Sequence, residues 1–159
     1  MNLFKNVLPV LLLPLALLYA EKVEVTSDSM KAEELKKEVH FIGHVTVRQL
    51  ESSLHGERVI VYFNENNQTR MYEARGDGTP VTFKVKEKKG FYRGHALNVK
   101  YYPLTSKYVL TGKAVIDDLL NKRHVNGEVI TLDMTTGNAV VKGSTKKPVK
   151  FIFDMEKQQ

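Results

Sequence analysis

The stretch VHFIGHVTVRQLESSLHGERVIVYF, residues 39–63, decides the fold. Its apolar residues recur at alternate positions, Phe41, Val45 and Val47 in one half and Val59, Val61 and Phe63 in the other. Period two sends successive side chains to opposite faces of a strand, so each half reads as a strand with one buried face. A glycine interrupts each half, Gly43 and Gly56, where a strand loses packing and gains backbone freedom.

The same alternation in β-branched and aromatic residues runs on from Glu24. Strands are expected at Lys22–Thr26, Val39–Arg48, Val59–Phe63, Arg70–Ala74, Val81–Lys86, Gly90–Tyr92, Leu97–Tyr101, Lys107–Ile116, Val129–Asp133, Ala139–Lys142 and Val149–Phe153. Between them lie turn sequences such as NENNQ (64–68), GDGTP (76–80) and MTTGN (134–138), whose residues accept positive φ or break a ladder. SMKAEELKKEV (29–39) is helical in composition, but Met30, Leu35 and Val39 make only a thin apolar stripe; it reads as a turn or one helical turn. Many short strands without a linker, in 159 residues, indicate one all-β domain.

The glycines fall into two patterns. After Gly43, Gly112 and Gly137 the apolar residues stay in phase with the glycine; after Gly56, Gly94 and Gly127 they start one residue late. A phase slip turns every later side chain over unless the chain bends, so the second group is expected to mark bends. The first group is expected where a side chain is absent from the interior or where another backbone approaches closely. The pair Gly43 and Gly56 recurs as Gly112 and Gly127, which suggests an internal repeat of hairpin size.

Residues 1–20, MNLFKNVLPVLLLPLALLYA, have one charge, Lys5, then an uncharged run, then Ala20 before the charged EKVEV. This is the layout of a secretory signal cleaved after Ala20, leaving residues 21–159 as the domain; an uncleaved anchor is the alternative. The formal net charge of +6 falls to +5 when Lys5 is removed, a mildly basic balance that suits anionic partners or plain solubility. The chain has no cysteine, which excludes disulfides and thiolate metal sites.

Few residues suggest catalysis. His40 and His44 would stand about 13 Å apart on a strand, too far to share a metal ion, so no metal site is expected. Asp117 and Asp118 are neighbours and point to opposite faces, so they form no carboxylate pair; a turn after Ile116 accounts for them. No nucleophile elbow, phosphate loop, dinucleotide fingerprint or zinc-protease motif occurs. The basic and aromatic segment at 88–108 would suit single-stranded nucleic acid in a cytoplasmic protein, a partner that export removes.

Taken in order, VEVTSDSM from Val23, VHFIGHVTV from Val39, GERVIVYF from Gly56, GDGTPVTF from Gly76, GFYRGHALNVKYY from Gly90, YVLTGKAVI from Tyr108 and VNGEVITLD from Val125 resemble the OstA-like family. The resemblance implies an all-β jelly roll of stacked antiparallel strands, open along one side. It implies a periplasmic bridge that carries lipopolysaccharide from the inner to the outer membrane, with the lipid A acyl chains in the roll and without catalysis or cofactor. The partners it implies are lipopolysaccharide, further copies of the chain stacked end to end, an inner-membrane-anchored LptC-like protein at one edge and an outer-membrane LptD-like translocon at the other. Val23–Thr26 and Val149–Phe153 would be those edges. Combined with strand phase, it implies a lipid groove lined by Val23, Val25, Phe41, Val45, Val47, Val59, Val61, Phe63, Val81, Phe83, Leu97, Val99 and Tyr101, with Tyr72 outward and rim Lys and Arg residues meeting phosphates. An anchored accessory protein of the same fold and a carbohydrate-active β-sandwich enzyme are the rival readings. The chain departs from the family at Gly43-His44-Val45, where asparagine is the common middle residue.

Overall fold

Four long strands carry the architecture of the computed structural model, which describes residues 22–88 and 90–155: β3 (Glu38–Gln49), β4 (Ser52–Phe63), β9 (Lys107–Asp118) and β10 (Arg123–Asp133). Each pairs with a different short strand at each of its ends. β3 takes β2 (Ser29–Glu33) along Glu38–Ile42 and β1 (Glu24–Thr26) along Thr46–Arg48. β4 takes β5 (Thr69–Arg75) along Arg58–Phe63 and β6 (Val81–Glu87) along Ser53–His55. β9 takes β8 (Asn98–Tyr102) along Lys107–Thr111 and β7 (Gly90–Ala96) along Val115–Asp118. β10 takes β11 (Asn138–Lys142) along Val129–Asp133 and β12 (Lys150–Phe153) along Arg123–Asn126. Pairs β5·β8 and β6·β7 complete the ladders, all antiparallel.

The result is one sheet folded in two. The first wall runs β2, β3, β4, β5, β8, β9, β10, β11 and the second β1, β3, β4, β6, β7, β9, β10, β12. The long strands join the walls along a seam. The hairpin turns lie on the far side, at 34–37, 64–68, 103–106 and 134–137 on the first wall and at 50–51 and 119–122 on the second. Among the described residues no ladder closes that side, so this is a jelly roll open along one edge, as the family resemblance implied.

The seam is built twice in the same way. Gly43 and His44 have φ of 84° and 48°, and Gly112 and Lys113 repeat those values. The β3·β4 register slips between Ile42 and Val45 and the β9·β10 register at Gly127/Val129. The Asp28 N–H donates to the Gly43 carbonyl and the Leu97 N–H to the Gly112 carbonyl, each at 2.9 Å. Two consecutive left-handed residues bend a strand sharply, and glycine meets the first without the usual cost of about 1–2 kcal/mol. The internal repeat is therefore structural, but its strain sits elsewhere than the sequence suggested. The extra residue lies at Gly43 and Gly112, while Gly56 and Gly127 face the bulges on the partner strands. Two glycines leave their groups: Gly137 occupies an exposed turn, and Gly94 lies in regular ladder.

Strand boundaries differ from expectation in an instructive way. SMKAEELKKEV holds strand β2, with Met30 and Ala32 facing Phe41 and Val39, followed by a tight turn with Lys37 at φ 56°. β4, β7, β9 and β10 each extend further than their apolar alternation, and in every case the added part belongs to the second wall. The expected signal peptide at 1–20 lies outside the described residues.

Gly94 shows what close approach costs. A Cβ there would collide with the Val115 carbonyl oxygen and the Phe83 ring, whereas one at Gly137 would meet nothing within 4 Å. Gly94→Ala is expected to lower unfolding free energy by about 3 kcal/mol, through overpacking against immovable backbone. Gly137→Ala, limited to the left-handed backbone penalty, should cost about 1 kcal/mol. Urea unfolding of the two variants measures both.

Candidate functional site

Cross-strand register lines the inner faces with continuous rows. On the first wall one row is Phe41, Val59, Ala74, Val99, Leu110 and Ile130, and the next is Val39, Val61, Tyr72, Tyr101, Tyr108 and Leu132. On the second wall the corresponding row is Val25, Val47, Leu54, Phe83, Gly94, Ile116, Val125 and Phe151. Side chains from both walls meet in a single apolar interior in which Val39, Val61, Val81, Ala96, Ala114 and Ile130 are fully buried. A fully buried valine or isoleucine side chain contributes roughly 1.5–3 kcal/mol, so the contact between walls dominates the energetics of the roll.

Of the proposed groove residues, Phe41, Val45, Val59, Val61, Phe63, Val81, Val99 and Tyr101 are buried in this interior, and Val25, Val47 and Phe83 pack against it half-buried. Val23, one residue ahead of β1, is half-buried. Leu97 does not join them. It sits at the seam between β7 and β8, 38% exposed, with its side chain against Gly112. It occupies the position that Asp28 holds against Gly43. The in-phase reading of Leu97 with Val99 fails because the chain bends between them to change walls.

Tyr72 also corrects its expectation. It faces inward, its ring 6.1 Å from that of Tyr101, which lies 4.4 Å from Tyr108. Burial pushes the Tyr72 hydroxyl up to about 12. Leu54, Tyr108 and Val125 are interior residues outside every expected set. Tyr108 was recoverable from its phase with Leu110, whereas Leu54 and Val125 stand alone among polar neighbours.

On the second wall, charged groups enter the inner face near the rim. Arg123 donates to Asp118 at 2.6 Å, and Asn121 donates to the same carboxylate through its backbone and side chain. Burial raises the Asp118 carboxyl, but these donors outweigh it and hold the group below its ordinary range. Strand β9 thus runs through both aspartates instead of turning after Ile116; Asp117 is on the outer face, as neighbours on a strand must be. Gln49, buried on the same inner row, leaves its Nε2 without a partner among the described residues.

The outer face of the first wall is self-neutralised. Glu73 accepts from Tyr62 at 2.7 Å, Asn98 at 2.8 Å and Arg75 at 3.0 Å. Glu33, Glu38 and His40 bring ligand atoms within 4.8 Å of one another, but Lys31 and Lys36 pair with Glu33, and the imidazole bonds Glu38 at 2.8 Å. His44 bonds Asp28 outside the seam, which raises its pKa.

The two ends of the roll differ. At one end, β1 and β2 carry the free ladder edges. At the other, β11 and β12 expose Val140, Phe151, Ile152 and Phe153, of which Phe151 is 54% and Phe153 55% exposed. The two expected edges are therefore real edges of the sheet, each accompanied by a second strand in the opposite wall.

Residues 24–138 match the family of the LptA and LptD N-terminal domain, described as lipopolysaccharide transport proteins. No curated protein matches the sequence. Among solved structures, the fold is similar to that of LptH, the LptA-homologous periplasmic component of the lipopolysaccharide transport device of Pseudomonas aeruginosa. The TM-score is 0.70 at 17% identity, over 85% of this chain and 96% of that one, a likeness of fold.

The Glu73 cluster gives a pH dependence. Burial raises this carboxyl, the Arg75, Asn98 and Tyr62 bonds lower it more, and the net folded value lies below the ordinary 4.5. A depressed carboxylate contributes stability above its unfolded pKa and loses it as pH falls through the folded one. Glu73→Gln is therefore expected to flatten the acid limb of the stability curve below about pH 4.5, and to lower stability at neutral pH, in thermal melts across that range.

Proposed function

The chain belongs to the LptA and LptD N-terminal domain family of lipopolysaccharide transport proteins, and from that premise we infer that it is the periplasmic bridge of such a system, carrying lipopolysaccharide from inner to outer membrane. The observation behind the reading is the form of the interior: continuous apolar rows on two walls joined along one seam and by no ladder on the opposite side. In the closed form these rows cover each other. Parting the walls about the seam exposes them to the open side, and acyl chains can take the place of the opposite wall.

The exchange is energetically mild. Each acyl methylene buried gains about 0.8 kcal/mol, which offsets the wall contact given up. The lipid A chains then lie against Phe41, Val45, Val59, Val61, Phe63, Val99 and Tyr101 on the deeper side, and Val25, Val47, Val81 and Phe83 on the other. Arg123 and Lys122 on the second rim and Lys37 on the first stand where phosphates of the head group would emerge. Free ladder edges normally invite pairing, and here they suit strands of like rolls: further copies of this chain, an inner-membrane LptC-like protein at one end and an outer-membrane LptD-like translocon at the other.

A photo-crosslinker at Phe83, Tyr72 or Tyr101 is expected to capture lipopolysaccharide in cells, while one at Lys100, on the outer face of the first wall, is not. Capture at Lys100 alone would sink the groove. Intact mass of the purified protein is expected to place its amino terminus at Glu21, whereas a retained Met1 would favour an anchored accessory. Phe151→Asp with Phe153→Asp should abolish concentration-dependent self-association in sedimentation and leave the melting temperature nearly unchanged, because both rings are already exposed.

A further inference from the structure

The outer face of the second wall holds a constellation that neither the interior nor the ladder edges require. Thr82 of β6 faces His55 of β4 on one side and His95 of β7 on the other. One row along, Lys84 faces Ser53 and Arg93, and Arg93 faces Asp117 of β9. These side chains line a hollow of about 390 Å³, near the lower end of the range of small-molecule sites, about 300–1,000 Å³.

Its cations outnumber its carboxylates: Lys84 and Arg93 stand beside Asp117 alone among the described lining residues. The Lys84 ammonium stands 5.8 Å from the centroid of the Phe91 ring and forms no ion pair with a carboxylate among the described residues. Arg93 Nε is 3.7 Å from Asp117 Oδ2, beyond hydrogen-bond length, while the other Asp117 oxygen is taken by His124 Nδ1. Asp117, the one carboxylate among the described lining residues, is thus shared between Arg93 and His124. His95 Nδ1 is buried without a partner among the described residues, a state that costs about 1–3 kcal/mol until something bonds it.

Two cations, two imidazoles, of which His55 is bonded through Nδ1 to Thr46 Oγ1 at 3.1 Å, and the Ser53 and Thr82 hydroxyls line one space. We propose that this hollow is a binding site for a sugar phosphate. A phosphate monoester offers three acceptor oxygens and up to two negative charges, matching an array of donors on several sides, and an arginine reads it through two parallel bonds. The hollow has room for a sugar ring beside the phosphate. The phosphate comes either from the head group of a glycolipid or from a soluble sugar phosphate. The site lies on the opposite face of the wall from the apolar interior, so it stands or falls independently of acyl-chain binding.

The test follows the histidine ring signals of the full mature chain by NMR. Glucosamine 1-phosphate is expected to shift His55 and His95 saturably and leave His40 and His44 in place, inorganic phosphate to do so more weakly, and glucosamine not at all. Lys84→Gln and Arg93→Gln should each weaken binding about tenfold, as loss of a charge-assisted contact does, and Arg93→Lys should restore only part of it. Both residues are exposed, and unchanged melting temperatures certify the fold. Parallel shifts of all the histidines, an equal response to glucosamine, unaltered affinity in both Gln variants, or tighter binding of a polyglutamate peptide would each overturn the site. Competition by dispersed lipopolysaccharide, but not by its dephosphorylated form, assigns the head group as the source. Absence of that competition beside sugar-phosphate binding assigns the soluble ligand, and either result upholds the site.

Discussion

Each wall of this protein has an apolar face that only the other wall can cover, and nearly every other feature follows from that dependence. A flat twelve-stranded sheet would leave the inner rows in water. Closing it into a barrel would hide them permanently, since a barrel has no free side. The chain instead folds one sheet along a line, and the fold line is where its backbone is least ordinary. Gly43 and Gly112 take the left-handed conformation, and Asp28 and Leu97 tie the short strands to them by matching hydrogen bonds. The cost is concentrated in a few residues at the seam, and the opposite side is left free of ladders.

Apolar contact without closure also explains the ends. In a barrel the last strand pairs with the first; here β1 with β2, and β11 with β12, terminate the ladders. Rows that begin at Val25 and Met30 run off the other end at Phe151 and Val141, so the interior is a channel of finite length whose rows continue to both edges. A second roll added to either edge extends both the hydrogen-bond ladder and the apolar rows at once. The exposed phenylalanines of β12 are the visible consequence of leaving that continuation open.

How much of this could be read from the sequence depended on the wall. The first wall has two adjacent apolar rows, so its strand segments alternate cleanly and were placed well. The second wall has one such row, and the next row toward its rim includes Gln49, Ser52, Asp118 and Arg123. Strand segments there, such as Ser52–Arg58 and Arg123–Glu128, offer one large apolar residue among polar ones, too little for a period to emerge. β2 was hidden for a related reason, having a single large apolar side chain, Met30, ahead of a Glu- and Lys-rich turn of helical composition. Leu97 failed differently: strand phase is lost where the chain changes walls between β7 and β8, and no local pattern announces that change.

The asymmetry between the walls has a consequence for any amphiphile held inside. Hydrocarbon gains most where both faces are apolar, along the seam and the deeper rows of the first wall. A charged head group loses its hydration unless polar partners meet it, and on the inner face such partners occur at the second rim, where Arg123 and Asp118 already form a bonded pair. The weak alternation that blurred the second wall in the sequence is thus the trace of a polar boundary. A roll that is to hold an amphiphile and release it again cannot be apolar on both walls to both rims.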